Sequence, residues 1–156
     1  MTVQPSPEQD VSAGSFYGQY QRGLDKKGRV ILPAPIREKL GAEEAFITKG
    51  IEKCLLLMPE REFNRRRERM QNLNLTSARA RQYKRLFFSN VAPVKPDSMG
   101  RINIPGYLRE YAELTGDVIF AGVDTHIEIW DAERWRRHQE ELDDEEIQED
   151  WEDLNI

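Results

Sequence analysis

Apolar residues in this chain fall into short clusters separated by polar turns, and the clusters recur. FYGQYQRGL alternates apolar and polar side chains and predicts a strand, and SNVAPVK predicts another later on. Val30–Leu32 and Ile102–Ile104 predict brief strands, ended by Pro33 and Pro105, which cannot donate to a sheet ladder. A short helix follows each, with Pro35 pre-set for the first turn of the earlier one. Two strand pairs come next, Ala45–Lys49 with Cys54–Met58 and Asp117–Gly122 with His126–Trp130. Helical spacing predicts amphipathic helices from Glu60 to about Gln71 and from Ala132 to about Leu142. A further helix is expected from Ser77 to about Phe88, with Thr76 as its cap.

These elements occur in the same order twice. Sliding the chain against itself by 72 residues lays LDKKGRVILPAPIREKL on PDSMGRINIPGYLREYA without a gap. Asp25, Gly28, Arg29, Pro33, Arg37 and Glu38 fall on Asp97, Gly100, Arg101, Pro105, Arg109 and Glu110, and the match continues through Ile47 and Ile119, Gly50 and Gly122, and Phe63 and Trp135. Neither copy has enough strand to cover both faces of a sheet. Two copies related by a pseudo-twofold axis are therefore expected to interleave into one closed barrel without free edges, an α+β fold with a mainly β core and flanking helices. Residues 15–70 form the first repeat, 71–87 a helical connector and 88–142 the second repeat. A disordered tail at 1–14 and an acidic one at 143–156 flank them.

Composition narrows the function classes. With 38% hydrophobic and 33% charged residues in 156, the chain reads as a soluble globular protein. No apolar run approaches the ~18 residues of a membrane span. The start, MTVQPSPEQDVSAG, has neither the basic beginning nor the apolar stretch of a secretory signal. A single cysteine, Cys54, fits a reducing cytoplasm.

The net charge of −5 hides a segregation. Ten acids and no Lys or Arg lie between Glu140 and Ile156, leaving 23 basic against 18 acidic residues in the body. Nine of the basic residues sit between Arg61 and Arg85, against only Glu62 and Glu68. A basic body suggests a polyanion as partner, although an acidic tail is as often a plain solvated end.

Catalytic arrangements are missing from this pattern. His126 and His138 lie far apart with no ligands at metal spacing, Cys54 sits in the apolar run CLLLM, and there is no phosphate-cradling loop or nucleophile elbow. No cofactor, metal, catalytic residue or small-molecule substrate is expected.

The repeated Asp-x-x-Gly-Arg turn is the better candidate. Copy one presents Arg22, Lys26, Lys27 and Arg29 around it; copy two presents Lys95 and Arg101. A guanidinium's planar fork matches both phosphate and the O6/N7 edge of guanine, while neighbouring lysines neutralise phosphates without reading sequence. Gly28 and Gly100 supply the turn's backbone freedom. Asp25 and Asp97 either lock the turn or orient the arginine four residues on. The competing reading makes Asp25–Arg29 and Asp97–Arg101 mere local ion pairs, worth roughly 0–1 kcal/mol. Arg37 and Arg109, each followed by Glu within a helix, read as structural. The cluster Arg65, Arg66, Arg67, Arg69, Arg79, Arg81, Lys84 and Arg85 could form a second phosphate-binding face. The apolar Leu73, Leu75, Leu86, Phe87 and Phe88 among these charges favour a contact between subunits instead.

LDKKGRVILP and PDSMGRINIP, with the closing segments CLLLMPEREF and HIEIWDAERW, resemble the paired motifs of the MraZ family, and more widely AbrB-type swapped-hairpin DNA-binding domains. The resemblance spans about Ser15 to Leu142. It implies an AbrB-like barrel of swapped-hairpin or double-psi type, assembly into a homo-oligomeric ring, and a cytoplasmic, nucleoid-associated transcriptional regulator, usually a repressor. Its expected target is double-stranded DNA bearing short G-rich direct repeats in promoters of the cell-division and cell-wall gene cluster. Arg29 and Arg101 take the positions of the DNA-contacting arginines, with Lys27 beside the first. Copy two departs from the pattern of copy one in having Ser98 and Met99 where copy one has Lys26 and Lys27. An adaptor that joins subunits or partners without DNA is the alternative.

Overall fold

Residues 15–155 are described in a computed structural model, so the tail expected at 1–14 lies outside the described residues. Six strands form one antiparallel sheet: β1 (Gln19–Gly23), β3 (Ala45–Lys49), β4 (Leu55–Pro59), β5 (Ala92–Val94), β7 (Asp117–Gly122) and β8 (Ile127–Asp131). Their order is β1-β7-β8-β4-β3-β5. The three-residue strands β2 (Arg29–Ile31) and β6 (Arg101–Asn103) pair only with each other, as an antiparallel ribbon. Helices α1 (Ala34–Leu40) and α4 (Gly106–Tyr111) follow the ribbon strands. Helices α2 (Glu60–Gln71), α3 (Ala78–Phe88) and α5 (Ala132–Leu142) follow or join the two halves.

The sheet order is a palindrome of the repeat. Leu56 stands opposite Glu128 at its centre, and Val30 stands opposite Ile102 in the ribbon; each pair is 72 residues apart. The pseudo-twofold axis therefore runs through both. At the margins the copies trade strands, β1 pairing with β7 and β5 with β3.

The expected closed barrel is absent from this pairing. Among the described residues β1 and β5 each have one strand neighbour, and the ribbon is a separate ladder. Pro33 and Pro105 follow shortly after β2 and β6; Leu32 N–H to Gly100 O and Ile104 N–H to Gly28 O, both 2.9 Å, extend the ribbon, and Asp25 N–H to Arg29 O and Asp97 N–H to Arg101 O, both 2.8 Å, tie it to its turns. The α+β class and the mainly β core stand.

Layering closes the core instead. One sheet face, carrying Leu55, Leu57, Ile127 and Ile129, packs against Val30, Ile36, Ile102 and Leu108 of the ribbon and short helices. The other face, with Met58 and Trp130, meets Phe63, Met70 and Phe87 of α2 and α3 and Trp135 of α5. Phe46 and Phe63 stack with centroids 4.5 Å apart, and Trp130 meets Trp135 edge-on at 5.7 Å. Each fully buried aliphatic or aromatic side chain contributes about 1.5–3 kcal/mol, more than any surface ion pair, so the layers rather than the turns hold the fold.

The gap-free repeat fails in one place. Ala45 and Ile47 of β3 face the ribbon, but so do Val118 and Phe120 of β7, while Ile119 turns to the opposite face with Phe46. Copy two has one more residue between its short helix and this strand and returns it in the following hairpin. A one-residue slip exchanges the faces of a strand, so Ile47 corresponds to Phe120 rather than Ile119. A smaller correction concerns α3. Its cap is Ser77, which accepts from the Ala80 amide at 3.3 Å, whereas the Thr76 hydroxyl is taken by Asn74 Oδ1 at 2.7 Å. The acidic end is also built: α6 (Glu145–Asp150) leads into a 3-10 turn, Trp151–Leu154.

Candidate nucleic-acid interface

Each Asp-x-x-Gly-Arg turn folds around its aspartate. Asp25 Oδ1 accepts from the amides of Lys27 (2.9 Å) and Arg29 (2.8 Å), while Oδ2 accepts from Arg29 Nε at 2.9 Å. Asp97 repeats this with Met99 N–H and Arg101 N–H, both 2.9 Å, and Arg101 Nε at 2.8 Å. The amide of Arg29 donating to it, with the guanidinium alongside, holds the Asp25 carboxyl below the usual carboxylate range; Arg101 does the same to Asp97. Gly28 (φ 81°) and Gly100 (φ 78°) occupy the left-handed region that lets the turn reverse.

The clamp uses the inner nitrogen of each arginine. This leaves Nη1 and Nη2 outside it, and the side chains are 32% and 31% exposed. Val30 and Ile102 face the core, so Arg29, Ile31, Arg101 and Asn103 occupy the outer face of the ribbon. Arg29 lies opposite Asn103 and Arg101 opposite Ile31. Diagonal neighbours in such a pair have side-chain origins about 7–8 Å apart. Two oriented guanidinium forks thus stand across a dyad on one narrow surface, with exposed Ile31 beside them. Such a strip has the dimensions of a β-ribbon that enters a major groove, and each fork can donate two parallel hydrogen bonds.

The remaining basic residues expected at the site distribute unevenly. Lys26 and Lys27 are exposed on the first turn. Arg22 lies on β1, its Nη1 donating to Gln21 O at 2.7 Å, and Lys95 is exposed just after β5. These two stand at opposite margins of the sheet, each shortly before its own turn. Ser98 and Met99 are exposed where lysines stand in the first copy.

Arg37 and Arg109, expected to be structural, support the turns themselves. Arg109 donates from Nε to Ile104 O at 2.9 Å, and its guanidinium lies where a Cβ on Gly28 would be, 2.6 Å from Cζ. Arg37 sits in the same way against Gly100. Each helix arginine therefore underpins the other copy's turn. Their 72-residue spacing and the interleaving of the copies were expected, but a linear repeat does not say that these two side chains cross to the other copy's turn. The arginines of α2 and α3 lie on the opposite side of the sheet from the ribbon, so they form a separate surface.

Chemistry elsewhere is muted. Burial, and secondarily Glu128 and Glu52, pushes the Cys54 thiol up to about 12, which leaves it protonated and unreactive. Burial and the Arg66 charge lower His126 to about 4. Among the described residues no three His, Cys, Asp or Glu side chains group as metal ligands, and no helix is long and apolar enough to cross a membrane.

Comparison with known proteins places this geometry. The family model of the MraZ protein, described as antitoxin-like, matches residues 15–86 and again 87–154. A protein of Heliobacterium modesticaldum named transcriptional regulator MraZ is 44% identical over 126 residues, covering 80% of this chain and 87% of its own. One from Symbiobacterium thermophilum with the same name is 43% identical over 124 residues, covering 80% and 89%. Another so named, from Thermoanaerobacter sp., is 43% identical over 141 residues and covers 89% and 98%.

Proposed function

The chain belongs to the MraZ family, and from that premise we propose that it is a transcriptional regulator that binds double-stranded DNA through its β2–β6 ribbon. Arg29 and Arg101 read guanine edges, Asp25 and Asp97 hold them in position, and Lys26, Lys27, Arg22 and Lys95 neutralise flanking phosphates. In this reading the exchanged strands form a swapped hairpin, with repeats at 15–70 and 88–142 joined by 71–87. The target is G-rich direct repeats in promoters of the cell-division and cell-wall gene cluster, and the effect there is repression. A homo-oligomeric ring makes several weak contacts at once, each raising the effective concentration of the next. The protein acts without catalysis, in the cytoplasm at the nucleoid.

The observation that carries this reading is the twinned clamp: two arginines, each fixed at Nε by its own aspartate, displayed across a dyad on one exposed ribbon. Asp–Arg pairs serving the fold alone have no need of outward forks. The test is retardation and footprinting of the purified protein on its own upstream region and on a scrambled fragment. Protected G-rich repeats at physiological salt are expected. Equal retardation of both fragments, or of neither, overturns the proposal and favours an adaptor that joins chains without DNA.

A further inference from the structure

The helix layer behind the sheet contains a second basic surface that the ribbon does not use. A cleft of about 490 Å³ opens along α2, with Met70, Leu73 and Tyr83 among its apolar walls and Arg65, Arg66 and Arg69 among its polar ones. The acid lining it, Glu62, is buried and shared between Arg65 at 3.8 Å and Arg66 at 3.6 Å. Two guanidiniums thus share one carboxylate, and Arg69 lines the same cleft. Arg66 Nη2 lies 3.2 Å from His126 Nδ1, and its buried Nε is the atom that faces Glu62 Oε2 at 3.6 Å, an ion pair rather than a hydrogen bond. With three arginines and a single carboxylate in its lining, the cleft carries a positive surplus that an acidic segment complements.

The same chain carries a segment of complementary chemistry. Between Glu145 and Leu154 lie Glu145, Glu146, Glu149, Asp150, Glu152 and Asp153, interrupted by Ile147, Trp151 and Leu154. Those three are spaced i, i+4 and i+7, the anchor pattern of a helix laid into a groove. On its own chain the segment contributes no buried residue, and Trp151 and Leu154 remain 41% and 61% exposed. The corresponding stretch after the first repeat behaves differently, since α3 folds back and buries Phe87 against the sheet.

We propose that the acidic segment Glu145–Leu154 of one chain docks into the arginine-lined cleft of α2 and α3 in a second copy, with Trp151 and Leu154 against Leu73 and Tyr83 and its carboxylates on Arg65, Arg66 and Arg69. Single exposed ion pairs contribute little each, so the apolar anchors supply the affinity and the charges set orientation and partner. This contact is independent of the DNA reading.

Cysteine pairing between full-length chains tests it. One chain carries Leu73→Cys and the other Leu154→Cys; they are co-expressed and mildly oxidised, with Cys54 left in its buried position. The expected result is a covalent two-chain species containing both variants. Its yield should fall several-fold at high salt or when Arg65→Glu and Arg69→Glu are added, with circular dichroism unchanged. Absence of the mixed species from folded protein overturns the proposal. So does a link that forms only within a chain carrying both cysteines. Protection of the Leu73→Cys thiol from iodoacetamide by duplex DNA, but not by the second chain, assigns the cleft to nucleic acid and overturns it as well.

Discussion

The two turns are nearly the same object mechanically and different objects electrostatically. Asp25 and Asp97 make matching sets of hydrogen bonds, and the glycines have φ values within a few degrees of each other. Lys26 and Lys27 nevertheless give the first turn a positive surplus that Ser98 and Met99 deny the second. The difference separates two jobs. Residues that fix an arginine's direction appear in both turns, while the lysines proposed to attract phosphate stand within the first turn only, with Lys95 two residues ahead of Asp97 in the second copy. In the proposed reading the matched forks read base edges, whereas phosphate attraction is supplied mainly from the first turn's side.

Removing one fork at a time gives the largest expected effect. Arg29→Ala and Arg101→Ala should each weaken binding to G-rich repeats by about 1–3 kcal/mol, or roughly 5- to 150-fold, and by similar amounts. Titration of each variant by fluorescence anisotropy measures this, and a strong loss from only one would break the equivalence. Next come the glycines. Gly28→Ala and Gly100→Ala place a side chain in the left-handed region, at about 1–2 kcal/mol, and must displace Arg109 and Arg37 respectively. Both should lower the melting temperature. Combining Gly28→Ala with Arg109→Ala should recover part of the loss, whereas combining it with Arg37→Ala should not.

Transplanting charge sharpens the electrostatic half. Lys26→Ser with Lys27→Met converts the first turn's sequence into the second's. It should make the log–log salt dependence of binding shallower, by up to about 0.9 for each phosphate no longer neutralised, at similar cost on all DNA sequences. Ser98→Lys with Met99→Lys should steepen it. A pH-linked effect on stability lies in the hairpins, where Cys54 and His126 occupy matching places. His126 titrates near 4 in the folded chain against an ordinary 6.5, so the unfolded chain takes up its proton first. Stability from this residue is complete above pH 6.5 and declines as pH falls toward 4. Melting curves across that window should show a decline that His126→Gln flattens and Cys54→Ser leaves unchanged.

Much of this was legible beforehand for a local reason. Turns, short strands and helices depend on residues close in sequence, and Asp25, Gly28, Pro33 and their counterparts declare them twice. That the copies interleave was expected, but which element partners which was not legible. A repeat cannot say whether Arg37 supports its own turn or the other copy's, nor that β1 leaves its own half to pair with β7. The face slip at Phe120 was hidden because Ile47 and Ile119 are chemically alike, so matching identities concealed a change of side. The expected closure was not found in the strand pairing: both prolines read as strand ends, but which strands would pair across the margins could not be read from a linear repeat.

The traded margins have a consequence for the history of the chain. Half of this molecule, synthesised alone, would lack the neighbour its first strand lies beside, and an identical half could supply it. Joining the two in one polypeptide makes the partnership permanent and frees each side to drift apart, so a specialised pair can arise where self-association would have kept both members the same.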